Sequence, residues 1–94
     1  MGKAIPASGS GAVRIILKNR ADFHFDLREK KEEGERTTYI YDVFYENVTG
    51  TLNISVENGE VKIAALNLSL GKVITLSNDT NLRKLCRYVL AETK

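Results

Sequence analysis

Hydrophobic and polar residues alternate with a period of two through most of this chain. In residues 23–28, Phe23, Phe25 and Leu27 fall on one side and His24, Asp26 and Arg28 on the other. That pattern predicts a half-buried strand. Residues 36–48 repeat it, with Tyr39, Tyr41, Val43 and Tyr45 at odd positions and Thr38, Ile40, Asp42 and Phe44 at even ones. The charged run at 29–35, EKKEEGE, reads as a solvated hairpin loop, with Gly34 available for positive φ. Leu52, Ile54 and Val56 then alternate with Thr51, Asn53, Ser55 and Glu57 up to Asn58-Gly59, the favoured dipeptide of a type I′ turn. The return strand begins Val61, Ile63, Ala65, after which Leu66, Leu68 and Leu70 take the even positions. A one-residue slip turns side chains over, so a bulge near Ala64-Ala65, or a break there, is expected. Gly71-Lys72 marks another turn before the short apolar piece VITL. At the other end, VRIILK (13–18) is a β-branched run that reads as a further strand, followed by a turn at 19–22.

Near the C-terminus the period changes to that of a helix. Ser77, Asn78 and Asp79 are all good capping residues, and Leu82, Leu85, Cys86, Val89 and Leu90 make one apolar stripe. Arg83, Lys84 and Arg87 lie opposite, as a solvated face.

These elements predict an α+β domain: a four- to five-stranded antiparallel β-meander with one C-terminal amphipathic helix packed on one face. One helix covers one sheet face and leaves the other bare. With Tyr39, Tyr41, Val43 and Tyr45 under the helix, the open face holds Arg14, Ile16, Lys18, His24, Asp26, Arg28, Ile40, Asp42, Phe44 and Lys62. On that reading Ile16, Ile40 and Phe44 form an apolar patch, the mark of a partner or dimer interface. The opposite choice, tyrosines outward, is also open, because the 36–48 strand is apolar on both sides.

Length and composition narrow the class. Ninety-four residues make one domain, expected at 13–94 behind a Gly/Ser-rich, flexible arm at 1–12. No run approaches the roughly 18 apolar residues of a membrane span. Cys86 is the sole cysteine, which points to a reducing, cytoplasmic setting. Four Asn-x-Ser/Thr triplets, at Asn47, Asn53, Asn67 and Asn78, read as polar alternation along strands.

Candidate chemistry argues against an enzyme. His24 is the sole histidine, Cys86 sits on the apolar helix stripe, and Gly9-Ser10-Gly11 lacks the lysine and the strand–helix context of a phosphate loop. No metal or other cofactor is implied. Single-stranded nucleic acid is the sharper expectation, since it is held by a basic groove with aromatics that stack bases. Arg14, Lys18, Arg28 and Lys62 beside Phe44 would supply that on the open sheet face, although Asp26 and Asp42 share it.

Residues 50–85 add a resemblance. The segments GTLNISV, NGEVK and KVITLSNDTNLRKL resemble the positive-coactivator type of single-stranded-DNA-binding domain. The resemblance implies a curved antiparallel sheet followed by one helix, dimerisation, and binding of single strands. The rival expectation is a small protein-interaction module, an inhibitor or adaptor of the kind mobile genetic elements or viruses encode, acting through the exposed apolar patch, an edge strand or the basic face of the helix. A homodimer fits both.

Overall fold

The computed structural model describes residues 12–69 and 71–93. Five strands form one antiparallel sheet in chain order: β1 (Phe23–Glu33), β2 (Arg36–Tyr45), β3 (Val48–Glu57), β4 (Glu60–Leu68) and β5 (Lys72–Thr75). Helix α1 (Ala12–Lys18) and a 3₁₀ turn (Arg20–Asp22) precede the sheet, and helix α2 (Asn81–Glu92) ends the chain. The expected α+β meander with its C-terminal helix is thus present, with a second helix added. No helix among the described residues is long and apolar enough to cross a membrane.

Turn chemistry fixes the meander. Asn58 and Gly59 take φ of 54° and 80°, as a type I′ turn requires, and the β3–β4 hairpin closes there. The first hairpin is longer than its charge suggests. β1 runs on to Glu33 and pairs with β2 as far as Arg36, leaving only Gly34 (φ 63°) and Glu35 in the turn. The charges of 29–33 therefore lie on a strand, where side chains two apart share a face. Lys31 approaches Glu29 at 3.7 Å and Lys30 approaches Glu32 at 3.5 Å, while Arg36 meets Glu57 on β3 at 3.4 Å. All three pairs are exposed and contribute little energy.

Two register shifts set which side chains face inward. One, between Leu27 and Glu29, makes Arg28 the extra residue of β1. The other falls between Ser55/Ile63 and Val56/Val61 and makes Lys62 the extra residue of β4. The phase slip expected at Ala64-Ala65 thus occurs two residues earlier. Val61, Ala64, Leu66 and Leu68 consequently point into the core, and Ile63 stands outside, 54% exposed.

The N-terminal run is helical, which corrects its reading as a strand. A seven-residue segment fits either period, and packing decides between them. Ala12, Val13 and Ile16 are fully buried at helical spacing and join the core, and α1 packs against α2. Asn19 ends the helix, its side-chain amide donating to the Ile15 carbonyl at 2.9 Å. Residues 1–11 of the expected arm lie outside the described residues, and Ala12 belongs to the buried helix.

The core lies between the sheet and the two helices. Tyr41, Tyr45, Leu52, Ile54 and Leu66 from the sheet meet Ile16, Leu82, Leu85, Cys86 and Val89 from the helices. The tyrosines of β2 therefore lie on the covered face. Asp79 starts α2 by accepting the Asn81 N–H at 2.9 Å, and Asn78 accepts the Thr75 N–H at 2.8 Å. Gly50 has no room for a side chain, because a Cβ there would run into the Asn67 carbonyl of β4.

Candidate functional site

The five residues expected to form a basic, aromatic sheet face are not brought together. Arg14 and Lys18 stand on α1, in the helical layer. Arg28 sits at the β1 bulge and binds Asp42 through Nε at 3.1 Å. Lys62 sits at the β4 bulge, its ammonium 3.0 Å from Glu60. That hydrogen bond, followed by the charge of Lys62, holds the Glu60 carboxyl below its usual pKa. Of the five, Phe44, 41% exposed, and Arg28, through its bond to Asp42, stand on the open face.

The expected apolar patch is likewise divided. Ile16 is fully buried in α1 and belongs to the core, because the run that carries it is a helix and not a strand. Ile40 and Phe44 do share the open face, but they lie on one strand with Asp42 between them. Around them the register sets Asp26 opposite Asp42, and Asp42 opposite Thr51, which faces Asn67 on β4. Ile40 is flanked by Glu29 and Asn53. Farther across, Ile63 and Val73 are 54% and 57% exposed on β4 and β5. The face thus carries charges of both signs, with Arg28, Lys31 and Arg36 set against a larger number of carboxylates, and its apolar side chains stand singly among threonine, serine and asparagine.

Basic charge gathers on the other side of the molecule. The helical layer, residues 12–22 and 76–93, carries six basic side chains (Arg14, Lys18, Arg20, Arg83, Lys84, Arg87) against three acidic ones (Asp22, Asp79, Glu92). The sheet and its turns, residues 23–75, carry six basic against nine acidic. The near-neutral net charge of +2 conceals this separation.

Four of those cations converge on one concavity. A cleft of about 520 Å³ opens between α1 and the first turn of α2, lined by Arg14, Leu17, Lys18, Arg20, Asn81 and Lys84. Helical geometry explains the set: positions 14, 17 and 18 share one face of α1, and 81 and 84 share one face of α2. No carboxylate among the described residues lines the cleft. Among the described residues, Arg14, Lys18 and Lys84 make no ion pair. The positive potential comes from these side chains and not from the end of α2, whose leading N–H groups are taken. Asn81 N–H goes to Asp79 Oδ1, Leu82 N–H to the Asp79 carbonyl and Arg83 N–H to the Thr80 carbonyl.

The remaining basic and nucleophilic groups have structural roles. Arg83 donates to the Val61 carbonyl at 2.6 Å, and β5 pairs β4 only along Ala65–Leu68. The guanidinium so closes an otherwise open stretch of sheet edge. Cys86 is fully buried, and desolvation pushes its thiol up to about 12 despite the nearby charge of Arg83, which leaves it an inert core group.

Sequence reasoning did not single out Arg20 or Asn81, and it offered Lys84 only within the basic helix face open to a protein partner. The available signal was the i, i+4 spacing of Arg14 and Lys18, which carries meaning only once their segment is known to be a helix. Comparison with protein-family models, with curated proteins and with solved structures finds no match to this chain. The functional reading rests on the geometry.

Proposed function

We propose that the chain is a non-enzymatic binding domain for single-stranded nucleic acid that grips the phosphate backbone with its helical layer, not with the open sheet face. The carrying observation is the cleft bounded by Arg14, Lys18, Arg20 and Lys84, with no lining carboxylate among the described residues. Unpaired cations around a concave surface concentrate polyanions and release their counterions on contact. The concavity favours a flexible strand over a duplex. Helix α1 is only seven residues, about 10 Å, and its basic residues turn toward the cleft instead of projecting as a recognition helix.

If the four cations neutralise four phosphates, the logarithm of affinity falls with the logarithm of salt at a slope of about −2.8. Raising salt from about 50 to 200 mM then weakens binding roughly 50-fold. Fluorescence anisotropy with labelled oligo-dT and oligo-U measures this. No binding to either at about 50 mM salt overturns the proposal.

A second reading, a protein-interaction module, draws on the open sheet face, where Phe44, Ile63 and Val73 are 41–57% exposed. It predicts a partner complex, or a homodimer by light scattering, that Phe44→Glu or Ile40→Glu disrupts. Monodisperse, folded, fully active variants rule that reading out.

A further inference from the structure

We infer that Arg20 is the base-contacting residue of the cleft, the side chain on which an unstacked base lies. This rests on the phosphate-binding reading above and adds to it a division of labour among the four cations.

Arg20 differs from the other three in how it is held. Its guanidinium carbon lies over the Tyr88 ring, 5.3 Å from the centroid. Tyr88 is half-buried and anchored in turn, edge-on to Phe25 at 6.0 Å and 78°. Phe25 is itself edge-on to the buried Tyr41 at 5.8 Å. A planar cation at the cleft wall is therefore steadied by a ring fixed to the core. Arg14, Lys18 and Lys84 make no such ring contact among the described residues.

Chemistry assigns the roles. An arginine plane stacks on π systems and is more weakly hydrated than an ammonium, so a base displaces little tightly held water from it. Splayed-out bases of single strands stack on guanidinium planes as they do on aromatic rings. Leu17 offers an apolar side chain in the same cleft, while Arg14, Lys18 and Lys84 have only phosphates to bind and Arg20 adds its charge to theirs. Such a contact tolerates any sequence, because every base has a π face, and it is denied to a paired base inside a duplex.

The test compares labelled oligo-dT with an abasic phosphodeoxyribose strand of equal length. The wild-type protein is expected to prefer oligo-dT by about fivefold or more, the effect of one stacked base. Arg20→Lys keeps the charge and removes the plane. It should bring the preference close to one, with the loss falling on oligo-dT. Arg20 is exposed, so the variant stays folded, and an unaltered melting curve checks this. Equal wild-type affinity for both strands, or a preference that survives Arg20→Lys, overturns the assignment. In either case the phosphate reading stands if Arg14→Glu/Lys84→Glu still abolishes abasic binding. Absence of binding to both strands overturns the two together.

Discussion

A hydrogen-bond chain at the end of α2 gives a prediction whose magnitude follows from geometry. The fully buried Tyr41 on β2 places its hydroxyl 2.7 Å from Thr93 Oγ1, and that oxygen lies 2.8 Å from the Val89 carbonyl. A threonine hydroxyl has one hydrogen. With it given to Val89, Thr93 must accept from Tyr41, so the direction of the chain is fixed. Tyr41→Phe removes a donor and leaves a half-buried acceptor, which costs about 1 kcal/mol. Thr93→Val keeps the shape but strands a phenolic hydroxyl, which costs about 2 kcal/mol. Once the hydroxyl is gone the second change has little left to break, so the double variant should cost about 2 kcal/mol, a coupling near 1 kcal/mol. In a domain this size each kcal/mol lowers Tm by roughly 4–8 °C. Urea denaturation of the four proteins measures the cycle. Additivity within about 0.3 kcal/mol would refute the bond as the tie between α2 and the sheet.

Two further predictions concern the core. Gly50→Ala drives a Cβ into the Asn67 carbonyl, and two paired backbones cannot easily separate; the expected loss is about 2 kcal/mol in urea denaturation, and a neutral variant contradicts the close approach of β3 to β4. Cys86 should resist thiol reagents at pH 8 until the protein unfolds. Its thiol pKa of about 12 in the fold lies above the unfolded value of roughly 8.5. The stabilisation is therefore complete below about pH 8.5 and is lost as pH rises toward the folded value, at up to about 1.4 kcal/mol per pH unit. Burial raises the Tyr41 pKa as well, so the Cys86 share is read as the difference between wild type and Cys86→Ala. Parallel stability curves for the two between pH 9 and 11 would remove the assignment.

How far the fold was legible depended on whether a segment's period was long enough to exclude the alternative. β2 and β3 alternate over ten residues each, the Asn58-Gly59 turn closes their neighbour, and α2 carries five apolar residues at helical spacing; these were readable because local preference and tertiary packing agree. Residues 12–18 span fewer than two helical turns. Val13, Ile15 and Leu17 satisfy a strand as well as Ala12, Val13 and Ile16 satisfy a helix, and the contact with α2 decides. That one segment carried Arg14, Ile16 and Lys18. Its change of period moved two cations off the sheet face and one isoleucine into the core, so the candidate site assembled from sequence came apart. Arg20 reads as a turn residue and Lys84 as a solvated one. Their convergence depends on how α1 packs against α2, and no local pattern encodes it.

The central claim is that the helical layer, not the open sheet face, binds nucleic acid. Parallel oligo-dT titrations of two charge-reversed proteins test it most directly. Arg14→Glu/Lys84→Glu should weaken binding by about 100-fold or more and flatten the salt dependence, while Arg28→Glu/Phe44→Glu, on the opposite face, should change affinity by less than about threefold. The reverse order, with the sheet-face variant losing binding and the cleft variant retaining it, would contradict the account.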